Sequence, residues 1–141
     1  MADDIVGVKR FRNDMTCMNK YKYTMGETHH HRGEVKVGES GLHLSLSLVD
    51  IIELCRDDIY CRVVGSGKTH RSGPFIAAEY LHVVEPLNGW FDCTTALMHF
   101  KDGKLHDADG QCAFQYDNGD VLSFKNGNFI KTYLGSWKRR Q

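Results

Sequence analysis

The stretch RVVGSGKTH at residues 62–70 ends in the Gly-Lys-Thr of a phosphate-binding loop. That loop has the pattern G-x-x-x-x-G-K-[ST], in which two glycines let backbone N–H groups converge on the phosphates, and a helix follows it. Here Arg62 stands in place of the first glycine, and a Gly-Pro pair follows where the helix should begin. The pattern therefore predicts a Gly-rich hairpin loop over 65–73, with Lys68 in solvent, in place of a P-loop.

Two polar residues within apolar runs are candidates for chemistry. His43 lies between leucines in GLHLS (41–45), and Glu79 lies inside FIAAEYLHVV (75–84). An unpaired carboxylate is costly to bury, so Glu79 must face solvent, pair with Arg or His, or serve as a binding or catalytic group. His43 is either a histidine with satisfied hydrogen bonds at the core or sheet edge, or part of a pocket. The sequence leaves these alternatives open.

Three adjacent histidines at 29–31 do not predict a metal site. Successive strand residues point to opposite faces, so such neighbours rarely ligate one ion, and no fixed set of Cys or carboxylate ligands lies nearby. We expect an exposed turn there and no metal. The five cysteines are irregularly spaced without a C-x-x-C pair, which indicates reduced thiols in a cytosolic protein.

The balance of charges makes nucleic acid and membrane surfaces unfavoured partners. Eighteen Lys and Arg residues match eighteen Asp and Glu residues, so no net charge attracts nucleic acid or a membrane. The start of the chain lacks the apolar core of a signal peptide, and no apolar run approaches the length of a membrane span. We therefore expect a cytoplasmic protein without a cofactor, with nucleic acid an unfavoured partner. The basic cluster Lys138-Arg139-Arg140 is interpreted as a solvated tail.

The predicted fold class is α+β, a mainly antiparallel sheet with one main short helix and a C-terminal β-meander. Alternating or continuous apolar runs predict strands in the first part over 5–12, 18–23, 34–37, 42–46, 59–64 and 75–84. The helix is predicted over about 47–56, where Ser47 and Asp50 form a variant of the capping box. Its apolar stripe follows helical spacing through Leu48, Ile51, Ile52 and Cys55.

The second half of the chain is punctuated by Asx-Gly pairs, which supply the positive φ angles of tight hairpin turns. The pairs lie at 102–103, 109–110, 118–119 and 126–127. Short alternating segments around them predict strands over 97–100, 112–116, 121–124 and 129–133. Pro and Asn-Gly within 85–89 mark a boundary. We therefore expect a mixed domain over 1–87 and a meander over 88–141, packed together as one compact unit.

The first part of the chain resembles a family of small uncharacterised domains common in tailed-phage genomes. The resemblance rests on VGVKRF (6–11), Cys17, YKYTMG (21–26) and SGLHL (40–44), with SLVD (47–50) expected to open the helix. The meander is similar, in DGKLH (102–106) and DNG (117–119), to hairpin repeats that phage and bacterial proteins use as structural or interaction arrays. This resemblance implies no activity.

A looser resemblance is to small ADP-ribosyltransferase-like folds, in which a strand with an aromatic residue or His precedes a helix and a late strand supplies a catalytic Glu. It implies catalytic roles for His43, Ser45 and Glu79, with Glu79 polarising the nicotinamide ribose. Apart from this resemblance the sequence indicates no catalytic residues, because it contains no nucleophile elbow or paired-carboxylate motif.

We expect a phage-type accessory protein that acts by binding, and that engages or inhibits a host bacterial protein such as a defence or takeover factor. The predicted binding residues lie in the 65–73 loop and the meander: Lys68, His70, Arg71, Trp90 and Trp137. One alternative is sequestration of a small nucleotide through the first three of these residues. A divergent ADP-ribosyltransferase-like enzyme is the other, and a homo-oligomer stays open.

Overall fold

The computed structural model describes residues 4–17 and 21–134, and these residues form two antiparallel sheets. The described residues fall into two compact units, drawn from Met1–Ile52 with Tyr60–Glu85 and from Glu53–Ile59 with Pro86–Gln141. The strands are β1 (Ile5–Phe11), β2 (Thr28–His30), β3 (Leu42–Ser45), β4 (Ile59–Ser72), β5 (Phe75–Pro86), β6 (Gly89–Asp92), β7 (Ala96–Lys101), β8 (Lys104–Leu105), β9 (Phe114–Tyr116), β10 (Val121–Lys125) and β11 (Asn128–Tyr133).

The predicted α+β class is wrong, because the described part of the chain is all-β and contains no helix. In place of the helix predicted over about 47–56, the chain makes one turn, in which the N–H groups of Ile51 and Ile52 both donate to the Leu48 carbonyl at 3.1 Å. β-Branched residues lose side-chain freedom in a helix, and Val49, Ile51 and Ile52 are all β-branched. A helix of about ten residues is also marginal without tertiary support.

The first sheet closes on itself. β5 pairs with β3, β3 with β1, β1 with β4, and β4 pairs again with β5. β2 continues along β5 beyond β3, because β3 pairs with residues 75–78 and β2 with residues 80–82. Closure gives the backbone groups of these strands partners within the unit, which an open sheet would leave exposed at its edges.

Leu44 of β3 fills the interior of this closed sheet and is 3% exposed. A Cβ at Gly7 would lie 2.8 Å from Leu44 Cδ1 and 2.5 Å from the Ser45 carbonyl oxygen. A Cβ at Gly65 would lie 2.9 Å from Leu44 Cδ2. β1 and β4 can therefore approach Leu44 closely only because both positions lack a side chain. The buried apolar side chains of the first unit include Phe11, Tyr23, Leu42, Tyr60, Cys61, Val63, Ile76, Ala78, Leu81 and Val83.

Two local predictions in the first unit are also corrected. The segment 65–73 was expected to be a loop, but β4 runs to Ser72, so Gly73 and Pro74 alone separate it from β5. Pairing with β5 provides hydrogen-bond partners for the backbone groups of this segment, which its Gly-rich composition suggested would form a loop. The strand predicted over 34–37 is replaced by an isolated bridge between Lys36 and Ser40.

The remaining strands of the first unit follow the predicted pattern more closely. The segments 5–12, 42–46, 59–64 and 75–84 correspond to β1, β3, β4 and β5. β2 falls on the first two of the three adjacent histidines, where a turn was expected. The first three residues of the strand predicted over 18–23 lie outside the described residues.

The second sheet has the order β11-β10-β9-β7-β6, with β8 paired to β7. Its predicted strands correspond to β7, β9, β10 and β11, and its tight turns have the expected positive φ, as at Asp102 (52°) and Asn126 (50°) with the glycines that follow them. β11 contains a β-bulge, because Ser123 pairs with Lys131 and Phe124 pairs with Phe129. The core consists of Leu87, Ala96, Met98, Phe100, Leu105, Ala113, Phe114 and Phe124.

Substitution of Gly7 by Ala tests the close approach of β1 to β3. We expect Gly7→Ala to lower the free energy of unfolding by about 1–3 kcal/mol, because the new methyl group meets the Ser45 carbonyl oxygen and neither strand can move alone. Urea denaturation followed by circular dichroism measures the change. The control Val6→Ala, at a residue that is 60% exposed, should cost less than about 1 kcal/mol. Equal stabilities of the two variants would contradict the packing argument.

Candidate functional site

Glu79 pairs with a histidine, one of the alternatives that the sequence left open. Its Oε1 accepts the Lys68 N–H at 3.1 Å, and its Oε2 lies 3.3 Å from His30 Nε2. Gly67 places this N–H through a φ of +77°, and a Cβ there would lie 2.6 Å from Oε1. The His30 ring stacks on Tyr80 at 4.5 Å between ring centroids. The Lys68 N–H, and after it the His30 side chain, lowers the pKa of the Glu79 carboxyl.

His43 anchors the segment 31–41. Its Nε2 accepts the Gly38 N–H at 3.0 Å, and its Nδ1 donates to the Gly41 carbonyl at 3.2 Å. A neighbouring contact has the same form, since His70 Nδ1 accepts the Val37 N–H at 2.9 Å. Two consecutive backbone N–H groups are thus held by two imidazoles, and an imidazole accepts a hydrogen bond only through an unprotonated nitrogen.

The three residues suggested by the transferase resemblance have separate partners. His43 bonds to the 31–41 segment, and Glu79 bonds to Lys68 and His30. Ser45 is buried, and its hydroxyl donates to the Ser47 carbonyl at 2.8 Å and accepts the Ser47 N–H at 3.0 Å. This local turn occupies the hydroxyl, so the geometry supplies no exposed serine beside Glu79.

The predicted phosphate-binding residues lie in β4 and not on a flexible loop. Lys68, His70 and Arg71 are exposed. The Lys68 N–H is taken by the Glu79 carboxylate, and the Arg71 Nε donates to the Gly73 carbonyl at 2.9 Å. A backbone N–H already bonded to a carboxylate does not cradle a phosphate, and the carboxylate adds a negative charge beside Lys68.

A half-buried lysine was missed by the sequence analysis. Lys9 Nζ donates to the His43 carbonyl at 2.5 Å and lies 5.3 Å from the centroid of the Tyr23 ring. Burial lowers the pKa of Lys9. The signal was present in β1, because strand residues two apart share a face and Phe11, two residues beyond Lys9, is a core side chain.

The pH dependence of stability tests the role of His43. Burial, and after it the Lys9 ammonium, lowers the pKa of His43 from its usual value. Below about pH 6.5 the unfolded chain takes up a proton that the folded chain resists. The stability that neutral His43 contributes is therefore present above that pH and is lost as the pH falls toward the folded-state pKa.

The matched variant is His43→Gln, because a glutamine amide keeps a hydrogen-bond acceptor and does not titrate. We expect the free energy of unfolding, measured by urea denaturation between about pH 7.5 and pH 5.5, to fall less steeply in His43→Gln than in the unsubstituted protein. If the free energy of unfolding depends on pH equally in the two proteins, His43 is not the group responsible for the pH dependence.

In the second unit, the predicted binding residue Trp90 lies on β6. Its side chain is 39% exposed, and its ring lies 4.8 Å from the His99 ring. Trp137 and the cluster Lys138-Arg139-Arg140 lie outside the described residues. The sequence analysis did not single out the outermost strand of this sheet, which presents a larger exposed apolar surface than Trp90.

β11 is that outermost strand, and it pairs with β10 on one side. All six of its residues are exposed, whereas β6 at the opposite end alternates between half-buried and exposed residues. The second unit has six large exposed apolar side chains among the described residues, and four of them lie within 129–134: Phe129, Ile130, Tyr133 and Leu134.

A groove of about 920 Å³ adjoins β11 on one face of the sheet. Gln115, Val121 and Tyr133 are register partners across β9, β10 and β11, so their side chains share that face. The segment 107–112 also lines the groove, and Leu134 continues the lining beyond β11. The groove and the free edge of β11 are therefore parts of one surface.

Asp107 holds the segment beside the groove against β10. Its Oδ1 accepts the Ala113 N–H at 2.6 Å and the Phe124 N–H at 3.0 Å, and its Oδ2 accepts the Ser123 hydroxyl. The Asp107 N–H in turn donates to the Phe124 carbonyl at 2.9 Å. Hydrogen bonds to an ionised acceptor are stronger than neutral ones. The sequence analysis missed this residue because its role depends on contacts between distant parts of the chain.

We expect Asp107→Ala to lower the free energy of unfolding by about 2 kcal/mol or more, because three donors lose one charged acceptor. Asp107→Asn should cost less, since its amide oxygen still accepts backbone N–H groups. Chemical denaturation measures both losses. The control Asp109→Asn turns an exposed Asp-Gly into the equally suitable Asn-Gly, and it should stay within about 0.5 kcal/mol. An Asp107→Ala variant as stable as this control would contradict the assigned role.

Within the described residues, no helix is long and apolar enough to cross a membrane. The same residues contain no group of three or more His, Cys, Asp or Glu side chains placed to hold a metal ion.

The comparisons with known proteins bear on the family and not on the site. No curated protein and no solved structure matches the chain. The expectation of an uncharacterised family, drawn from the motifs of the first part, is confirmed at that level. The match covers β1 to β6 and ends before the groove and β11. Residues 5–94 match the family described as a domain of unknown function (DUF7666), and the chain belongs to that family.

Proposed function

We propose that this protein acts by binding another protein, whose extended segment adds to the sheet along the free edge of β11. The partner that we propose is a bacterial host protein, because the opening motifs of the chain resemble small domains of tailed phages. The observation that carries the proposal is that all six residues of β11 are exposed at the outer edge of the second sheet.

A free edge is a template for a further strand. Its outward N–H and C=O groups lack ladder partners, and an added strand satisfies them while alternate side chains supply specificity. Proteins commonly protect such edges with charged residues, proline, β-bulges or a covering element. β11 contains one charged residue, Lys131, and one bulge, but three of its side chains, Phe129, Ile130 and Tyr133, are large, apolar and exposed.

The apolar side chains favour a protein partner in particular. Single exposed apolar residues are ordinary on protein surfaces, but contiguous groups mark interaction sites. Phe129 and Ile130 are 50% and 56% exposed, and Leu134 just beyond the strand is 63% exposed. Burial of such side chains contributes roughly 25 cal/mol per Å² of apolar surface. The edge thus combines backbone hydrogen bonding with apolar contacts.

The two alternative functions receive less support from the geometry. Nucleotide sequestration needs convergent phosphate contacts, but the Lys68 backbone N–H is bonded to the Glu79 carboxylate and the Arg71 Nε to the Gly73 carbonyl. Transferase chemistry needs an available polar set, but the Ser45 hydroxyl is buried in its own turn. Strand addition at β11 requires no rearrangement of a hydrogen bond in the described structure.

The test uses a matched pair of lysine substitutions at exposed β-branched residues. Ile130→Lys places a charge on the proposed edge, and Val6→Lys places the same charge on β1 in the first unit, where the residue is 60% exposed. Each purified protein is used to capture partners from bacterial lysate, and stoichiometric partners are identified by mass spectrometry. Hydrogen exchange then measures protection of the β11 amides in the complex with the identified partner.

We expect one stoichiometric partner. Val6→Lys should bind this partner as the unsubstituted protein does, whereas Ile130→Lys should lower the affinity for it at least about tenfold, because a charged edge disfavours strand addition. The outward amides of β11 should gain protection in the complex. A partner that binds Ile130→Lys normally, or that leaves the β11 amides unprotected, would refute the proposed site. The absence of any partner would count against the function itself.

A further inference from the structure

We infer that the groove beside β11 receives a cationic side chain, arginine or lysine, from the extended segment that pairs with this edge. The inference rests on the proposed function and specifies the chemistry of the partner. It is carried by the shape of the groove, by the charges that line it, and by the two residues that the groove shares with the β11 surface.

The groove has an apolar part that suits the stem of a long side chain. Val121 and Tyr133 lie side by side on its face, and Leu134 extends the same lining. Arginine and lysine bury their methylene stems against such surfaces while the charged end reaches a polar region. Lys131 Nζ lies 5.0 Å from the centroid of the Tyr133 ring, so this ring already has a cation of the chain beside it and the incoming charge must be received by the acidic residues of the groove.

The polar part of the groove is negatively charged. Asp107 and Asp109 line it, and among the described residues that line it none is Lys, Arg or His. The Asp107 carboxylate is fixed by three hydrogen bonds from the protein, so it contributes charge without being able to move. Asp109 is exposed and has no ion-pair partner among the described residues. An incoming cation can therefore pair with Asp109 in the field of Asp107.

Continuity with β11 determines how the cation arrives. Tyr133 belongs to β11 and also lines the groove, and Leu134 follows it directly along the chain. A strand that pairs with the outer edge of β11 places alternate side chains on the face that holds Val121 and Tyr133. One such side chain, if it is arginine or lysine, reaches over the edge toward the acidic end of the groove.

The test uses two short synthetic peptides of alternating threonine and valine, one with a central arginine and one with a central glutamate. Each is titrated into the full-length protein, and nuclear magnetic resonance follows the amide signals of the groove and of β11. The chain offers a matched pair of variants, Asp109→Asn and Asp102→Asn. Both remove one carboxylate from an Asp-Gly turn of the second unit, but only Asp109 lines the groove.

We expect the arginine peptide to bind more tightly than the glutamate peptide and to shift the signals of Gln115 and Val121. Asp109→Asn should lower the affinity for the arginine peptide about three- to tenfold, as expected for a partly screened charge pair. Asp102→Asn should leave that affinity unchanged. Asp109→Asn should leave the affinity for the glutamate peptide unchanged or higher.

The failure of this inference differs from the failure of the proposed function. Equal binding of both peptides with protection of β11 amides from hydrogen exchange would overturn the cation preference and leave strand addition intact. Binding of the arginine peptide at the groove without protection of β11 would support the cation site and count against strand addition. The absence of binding by either peptide at about 1 mM, the weak end of specific affinity, would overturn the inference.

Discussion

Every strand of a sheet presents backbone N–H and C=O groups on both sides, and these groups need hydrogen-bond partners. The two units of the chain provide such partners in different ways. In the first unit the pairing runs from β5 through β3, β1 and β4 and returns to β5. Closure draws the strands tightly around Leu44, which is why Gly7 and Gly65 carry no side chain. In the second unit the pairing ends at β6 on one side and at β11 on the other, and all residues of β11 are exposed. The surface available for binding follows from that difference.

Outside the strands, polar side chains accept hydrogen bonds from backbone N–H groups that have no strand partner. His43 and His70 accept N–H groups of the 31–41 segment, and Asp107 accepts N–H groups from two separate stretches of the second unit. Such contacts give irregular backbone a defined position without regular secondary structure. The acceptors differ in kind, because a carboxylate carries its own charge and an imidazole must stay neutral at the accepting nitrogen. The two units therefore hold their irregular segments by different electrostatic means.

Local sequence chemistry predicted the parts of the fold that depend on local geometry. Asp102 and Asn126, each followed by glycine, adopt the positive φ of tight turns, so the hairpins could be located from spacing alone. The helix expected near Ser47 failed because apolar spacing says nothing about whether packing supports so short a helix. β4 was underestimated because its glycines suggested a loop, although pairing with β5 keeps it extended.

The candidate site could be predicted only in part for the same reason. The sequence left solvent exposure, pairing with Arg or His, and a binding or catalytic role open for Glu79, because the choice of His30 depends on the register of β2 with β5. The exposure of β11 depends on its place at the end of the sheet, and the position of Asp107 depends on hydrogen bonds to β10, whose residue Phe124 lies 17 positions further along the chain. An alternating apolar strand looks the same in sequence whether it lies inside a sheet or at its end.

The bulge in β11 disfavours the regular stacking of strands by which fibrils grow. Fibrils grow when flat, regular strands stack in register without limit, and an extra residue bends a strand and increases its twist. The unpaired position created where Ser123 faces Lys131 and Phe124 faces Phe129 interrupts that regularity beside two exposed apolar residues. A strand that adds to this edge must follow its bend, and a second addition meets a strand of a different shape. The irregularity thus disfavours polymerisation along an apolar edge that the fold leaves exposed.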